Sequence, residues 1–159
     1  MLRRTTLAAA GLAALMSGCA ALQGPVTVAE TAARTPELST LSRLIADAGL
    51  AETLRGSGPF TVFAPTDEAF KAVPAATMAE LARNKELLRS VLTYHVLPGK
   101  VVAAEVKVGT AKTLQGAQLG LGKAGQVVTV EDAMVVKADV AATNGVLHLV
   151  DRVLMPPRR

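Results

Sequence analysis

Ten residues constrain this chain more than any others: Thr61 to Phe70, TVFAPTDEAF, pass from strand to helix with no spacer between them. Thr61, Val62 and Phe63 favour extended backbone, and Pro65 holds Ala64 out of the helical region. Thr66 then stands at the capping position. Asp67 and Glu68 put negative charge into the first helical turn, where it meets the positive end of the helix dipole. Such a corner is folding grammar before it is anything functional. Two further segments keep it company: Leu92 to Lys100, LTYHVLPGK, and Asn144 to Pro156, NGVLHLVDRVLMP.

The pattern on either side of the corner changes character. Leu38, Leu41, Leu44, Ile45 and Ala48 recur at three- and four-residue spacing, which predicts an amphipathic helix over 37–48 ending at Gly49. Leu50 and Leu54 suggest a short helical turn before the Gly56 to Pro59 punctuation. Beyond the corner, Met78, Leu81 and Ala82 predict a helix over 75–83, and Leu87, Leu88, Val91 and Leu92 predict one running into the second segment. From Val101 onward short alternating runs replace helical spacing, with glycine between them. Strands are expected over 111–114, 118–121, 127–130, 134–138 and 146–155. Glycines between closely spaced short strands indicate hairpins and bulges. A helical half followed by a meandering sheet gives an α+β domain.

The N-terminus reads as an address. Arg3 and Arg4 form a basic n-region, Leu7 to Met16 a short apolar region, and Gly18-Cys19 follows. The apolar run is far below the roughly 20 residues that a membrane-spanning helix needs. Residues 1–18 are therefore expected to be an export signal. Leu15-Met16-Ser17-Gly18 before Cys19 resembles the lipobox of bacterial lipoproteins, although Met16 stands where leucine is most common. Cys19 is accordingly the candidate lipid-attachment residue. Ala20 rather than aspartate resembles the pattern of a lipoprotein sorted to the outer membrane. The alternative is an ordinary secretory signal and a soluble, secreted product. Arg3-Arg4 also raises twin-arginine export, but Thr6 stands where that signal prefers a bulky apolar residue. Residues 19–35 are small and weakly patterned and read as a tether to a domain over 36–156, with 157–159 a basic tail.

Composition narrows the partners. Removing Arg3 and Arg4 from the 17 basic residues leaves 15 against 13 acidic ones, so the formal charge falls from +4 to +2. Three Phe, one Tyr and no Trp give little to stack on bases, and no basic stripe runs between them, so nucleic acid is not an expected partner. A single cysteine makes no internal disulfide.

GPFTVFAPTDEAF, the pair Tyr94-His95 and the closing NGVLHLVDRVLMP, in that order, resemble the signature of the fasciclin domain, a family of extracellular and periplasmic adhesion modules. The resemblance covers 36–156. It implies a helical layer packed on a twisted, mostly antiparallel, β-sandwich-like core, which agrees with the order of helical spacing first and strand alternation later. One departure is Val101 to Val106, VVAAEV, where the family carries a more polar stretch. The resemblance also implies a non-enzymatic adhesion or binding module with no cofactor. Its partner would be a macromolecular surface, protein or polysaccharide, or a second copy of itself. Thr66, Asp67, Glu68 and Phe70 at the corner, with Tyr94, His95, Pro98 and Gly99 at the second segment, make up the candidate binding surface.

The chemistry-bearing side chains have simpler readings beside the functional ones. His95 and His148 form the alternative, a periplasmic enzyme or metal-binding protein, but neither sits in an HExxH or Cys-His pattern. The structural reading of His95 is a partly buried ring bonded to backbone or to the Thr66-Asp67 corner; that of His148 is burial within an apolar strand. No GxSxG elbow is present, and Ser39, Ser42, Ser57 and Ser90 lack an activating context. Asp67, Glu68, Asp132, Asp139 and Asp151 are explained by caps, turns and solvated strand faces, with Asp151-Arg152 read as a strand-edge pair. Glycines 120, 122 and 125 precede no helix and make no phosphate loop. Tyr94 is structural if its ring is buried and a candidate hot spot if it is exposed. A third reading is an envelope structural component whose Ala-rich helices pack on another protein.

Overall fold

The computed structural model describes residues 26–157, so Cys19, the signal and the Arg158-Arg159 tail lie outside the described residues. The first element corrects the tether. Helix α1, Val28–Arg34, opens on a capping box in which the Thr27 hydroxyl accepts from the Glu30 N–H and the Glu30 carboxylate accepts from the Thr27 N–H. Val28, Ala29 and Ala32 are buried in the main core, so this stretch is part of the domain. Its apolar residues are mostly alanine, which is why the sequence looked unpatterned.

The remaining helices follow the sequence closely. A single 3-10 turn at Pro36–Leu38 leads into α2, Ser39–Asp47, then α3, Ala51–Arg55. After strand β1, Phe60–Pro65, come α4, Asp67–Lys71, α5, Ala75–Arg83, and α6, Lys85–Tyr94. The last of these is capped by Asn84, whose side chain accepts from the N–H groups of Glu86 and Leu87.

Strand β2, Val96–Pro98, starts the sheet half, followed by a 3-10 turn at Ala103–Glu105 in the divergent VVAAEV stretch. Strands β3, Gly109–Lys112, β4, Gln118–Ala124, β5, Val127–Val130, β6, Ala133–Ala142, and β7, Gly145–Val150, complete it. The seven strands lie in the order β2-β1-β7-β6-β5-β4-β3. All neighbours are antiparallel except β1 and β7, which run parallel from Phe60 opposite Gly145 to Pro65 opposite Val150. Two register shifts along β6 bend it from β7 towards β5, and Leu114 N–H donates to Val96 C=O at 2.9 Å, so the far end of the sheet folds back onto β2. The expected last strand to Met155 is shorter: the chain leaves the sheet after Val150. Asp151 turns its carboxylate to the Met134 N–H (2.7 Å) rather than to Arg152.

Alternation along β1 and β7 builds two cores. Val62, Ala64, Leu147 and Leu149 face the helices and join Leu41, Leu44, Ile45, Leu88 and Leu92. Phe63 and Val150 face the other way and pack with Tyr94, Leu97, Leu119, Val130 and Leu154. With both faces covered, β7 is buried along its whole length. Gly145 is needed at its start because a Cβ there would collide with the Phe60 carbonyl oxygen.

Candidate binding surface

The corner forms as its sequence requires. Thr66 Oγ1 accepts from the Ala69 N–H at 3.3 Å and caps α4, while the Thr66 N–H donates to Val150 C=O at 3.1 Å, fixing the corner to the end of β7. Asp67 does more than start its own helix. Its carboxylate accepts from the Ser39 hydroxyl (2.7 Å) and the Thr40 N–H (2.8 Å), which ties α4 to the start of α2. Burial works against the ionised form, but the Thr40 N–H and the Ser39 hydroxyl outweigh it and hold the Asp67 carboxyl below its ordinary value. Glu68 pairs with Lys71 at 2.7 Å in full view of solvent, a contact that adds little stability. Phe70 is buried in the helix-side core.

The second segment is mostly interior. Tyr94 is 3% exposed, and its hydroxyl donates to Gln118 C=O at 3.1 Å. Burial and the nearby Glu131 carboxylate push its pKa up. His95 is 1% exposed; Nδ1–H donates to Val91 C=O (2.7 Å), and Nε2 accepts from the Leu154 N–H (2.9 Å). The ring is bonded to backbone on both sides, not to the Thr66-Asp67 corner. Burial lowers its pKa to about 4, and the bond to Val91 only partly offsets this, so the imidazole is neutral. Pro98 is exposed, and Gly99 turns the chain at φ +99°, with its N–H on Pro59 C=O and its own carbonyl on the Thr61 hydroxyl.

The eight candidate residues therefore do not form one surface. Phe70, Tyr94 and His95 are buried. Pro98 lies opposite Phe60 at the start of β1, whereas Thr66 follows its end, so the residues that reach solvent, Glu68 at the corner and Pro98 at the turn among them, are separated by the strand's length, about 20 Å. The histidines are likewise held apart in function. His148 is 1% exposed, stacks on Phe63 with centroids 5.6 Å apart, donates from Nε2 to Val101 C=O (2.7 Å), and accepts at Nδ1 from the Asp139 N–H (3.2 Å). All four imidazole nitrogens are thus engaged by main chain. Among the described residues no three His, Cys, Asp or Glu side chains are grouped to hold a metal ion.

What the sequence did not disclose is a cleft of about 920 Å³ beside the Thr66 corner. Its walls are α4 to α6, through Ala72, Val73 and Leu87, and the strap that follows β7, through Arg152, Val153 and Met155. Met155 is 45% exposed there. Residues 151–155, expected to extend the last strand, form this strap instead, the ladders to β1 and β6 ending at Val150.

Comparison with known proteins agrees with this architecture. The fasciclin domain model matches residues 36–156. Protein sll1483 of Synechocystis sp. is 45% identical over 140 residues, 87% of this chain and 78% of that one. Immunogenic protein MPB70 of Mycobacterium bovis is 44% identical over 154 residues, 91% of this chain and 78% of that one. Cell surface glycolipoprotein MPB83 of the same species is 42% identical over 135 residues, 82% of this chain and 60% of the relative. The solved FAS1 domain pair of the insect cell adhesion molecule fasciclin I superimposes with a TM-score of 0.66 at 15% identity, over 82% of this chain and 51% of that one, a likeness of fold. This chain belongs to the fasciclin domain family.

Proposed function

We propose that the protein is a non-enzymatic binding module of the bacterial cell envelope. It is exported, held at a membrane by lipid attached to Cys19, and engages a macromolecular partner, protein or polysaccharide. The observation that carries this reading is the contrast between two sites. The histidines that would have to do chemistry have every ring nitrogen bonded to main chain, whereas the Thr66 end of the sheet leaves a cleft open between α4 to α6 and the strap. The contact surface on this reading is Thr66, Asp67 and Glu68 with the rims of that cleft at Val73, Arg152 and Met155. A relative that is a cell surface glycolipoprotein supports the address and the lipid, and a fold neighbour from a cell adhesion molecule supports the role. Ala20 after Cys19 favours outer-membrane sorting.

The test is a binding screen of the mature domain against matrix proteins, envelope polysaccharides and itself. Arg152→Ala and Met155→Ser are expected to weaken the contact that emerges while leaving the fold intact. Unchanged attachment, biofilm formation and envelope binding in cells lacking the gene would overturn the adhesion reading. Mass spectrometry of the mature N-terminus checks the anchor separately: a diacylglyceryl Cys19 is expected, and a free N-terminus further along would make the protein a secreted one.

A further inference from the structure

Resting on the binding-module reading, we propose that the strap after β7 is a docking ridge for an extended polypeptide segment that carries an aliphatic side chain beside a lysine or arginine. The strap separates two clefts. Arg152, Val153, Met155 and Pro157 line both the cleft of about 920 Å³ against the helices and a second one of about 520 Å³, whose far wall includes the β5–β6 turn, Glu131 and Asp132. Met155 and Pro156 each precede a proline, which keeps this part of the ridge extended. Of the ridge amides, the Leu154 N–H is taken by His95 Nε2, while those of Arg152, Val153 and Met155 donate to no described residue. They are open to the carbonyls of an incoming main chain, the bonding by which an extended peptide adds to a strand-like edge. A segment laid along the ridge sends successive side chains to opposite sides, one towards each cleft.

The two clefts differ in chemistry. The larger is walled by small aliphatic groups, Ala69, Ala72, Val73 and Leu87, and suits a Val, Leu or Ile side chain. The charged side chains on the walls of the pair are Glu80, Glu131 and Asp132 against Arg152. Just outside, Asp151 beside Arg152 and Arg83 beside Glu80 offset each other. The walls thus hold an excess of negative charge on a chain of formal charge +4, and Glu131 and Asp132 place it in the smaller cleft. A basic side chain complements that cleft, and an acidic polymer is repelled by it. The aromatic residues decide against sugar. Phe63, Phe70 and Tyr94 are buried, Phe60 is half-buried at the opposite end of β1, and with three Phe, one Tyr and no Trp these are all the chain has. No aromatic face is left near the ridge to stack on the apolar side of a sugar ring.

The experiment pans the mature full-length protein against a displayed library of random ten-residue peptides, and in parallel titrates it with alginate and dextran, an acidic and a neutral polysaccharide. Selected peptides are expected to place Val, Leu or Ile next to Lys or Arg. Ala72→Tyr, which fills the larger cleft from an exposed position, is expected to weaken a selected peptide at least about tenfold. Panning the Asp132→Lys variant should exchange the basic residue of the selected motif for an acidic one, and an inverted preference also shows that this variant is folded. Peptides that bind Ala72→Tyr as well as the native protein, or a motif unchanged by Asp132→Lys, overturn the ridge as the docking site. A polysaccharide that binds the native protein but not Ala72→Tyr, with no peptide selected, overturns polypeptide as the partner and leaves the binding-module reading standing. Failure of every probe overturns the inference, while the reading beneath it falls only if cells lacking the gene also keep their attachment.

Discussion

Asn144 does the work of a small hub. In the sequence it is half of an Asn-Gly pair, a residue combination that suits a tight hairpin turn. In the fold its amide makes three bonds to two other segments: Oδ1 receives the Val28 N–H, and Nδ2 reaches Leu54 and Gly56 C=O, both at 2.7 Å. Asn144→Ala removes all three bonds and leaves part-buried backbone groups without partners, for an expected loss of about 2–3 kcal/mol. Asn144→Asp keeps the acceptor but loses the donors and should fall near the alanine variant. Gly145→Ala is more severe, because the added methyl collides with the backbone of Phe60 rather than with a side chain able to swing away. Its expected outcome is separation of β1 from β7 at that end, read as a loss of more than about 3 kcal/mol in urea denaturation. An alanine variant of Asn144 within about 0.5 kcal/mol of the native protein would reduce it to an ordinary turn residue.

Among the elements, α1 separates what could be read from what could not. Helices α2, α5 and α6 announced themselves through apolar residues at helical spacing, and the Thr61 to Phe70 corner through its proline, cap and acidic first turn. In α1 the buried residues are one valine and two alanines with Thr31, too small to stand out from a tether. Yet Val28 is 1% exposed inside the main core. Val28→Ala is expected to cost about 2 kcal/mol, and Thr27→Ala, which dissolves the capping box, about 1 kcal/mol. A truly loose tether would show neither shift in a urea melt. The candidate surface failed for a related reason. Corner and Tyr-His segment are both signatures, and signatures here mark residues the fold needs: Phe70 and Tyr94 fill cores, and His95 joins α6 to the strap. The cleft was invisible because its walls come from segments that no local pattern connects, namely α4 to α6 and the residues after β7.

For the whole molecule, three ionisable groups bound the pH range in which the fold is most stable. His95 is neutral in the fold with a pKa of about 4 against 6.5 when unfolded, so between those values the unfolded chain binds the extra proton. The stability from this neutral ring is fully present above about pH 6.5 and lost as pH falls to about 4, a total of roughly 3 kcal/mol. Asp67 acts lower: its carboxyl is held below the ordinary 3.8, so its contribution is present above that value and disappears as pH falls further. Tyr94 closes the alkaline side. Its pKa is raised above 10.0, so the unfolded chain loses its proton first and stability declines as pH rises past that point. Protonation of His95 is also structurally specific, because Nε2 is where the strap's Leu154 N–H is received, and a proton there breaks that bond. Acid should therefore loosen the strap, and with it one wall of the cleft, before the sheet. Urea denaturation in pH steps from 7 to 4 measures the slope, and His95→Gln, whatever its effect at pH 7, should flatten it. Hydrogen exchange at the Leu154 amide should accelerate over the same interval in the native protein. A slope unchanged by His95→Gln would assign the acid sensitivity to carboxylates and free the strap from any dependence on that ring.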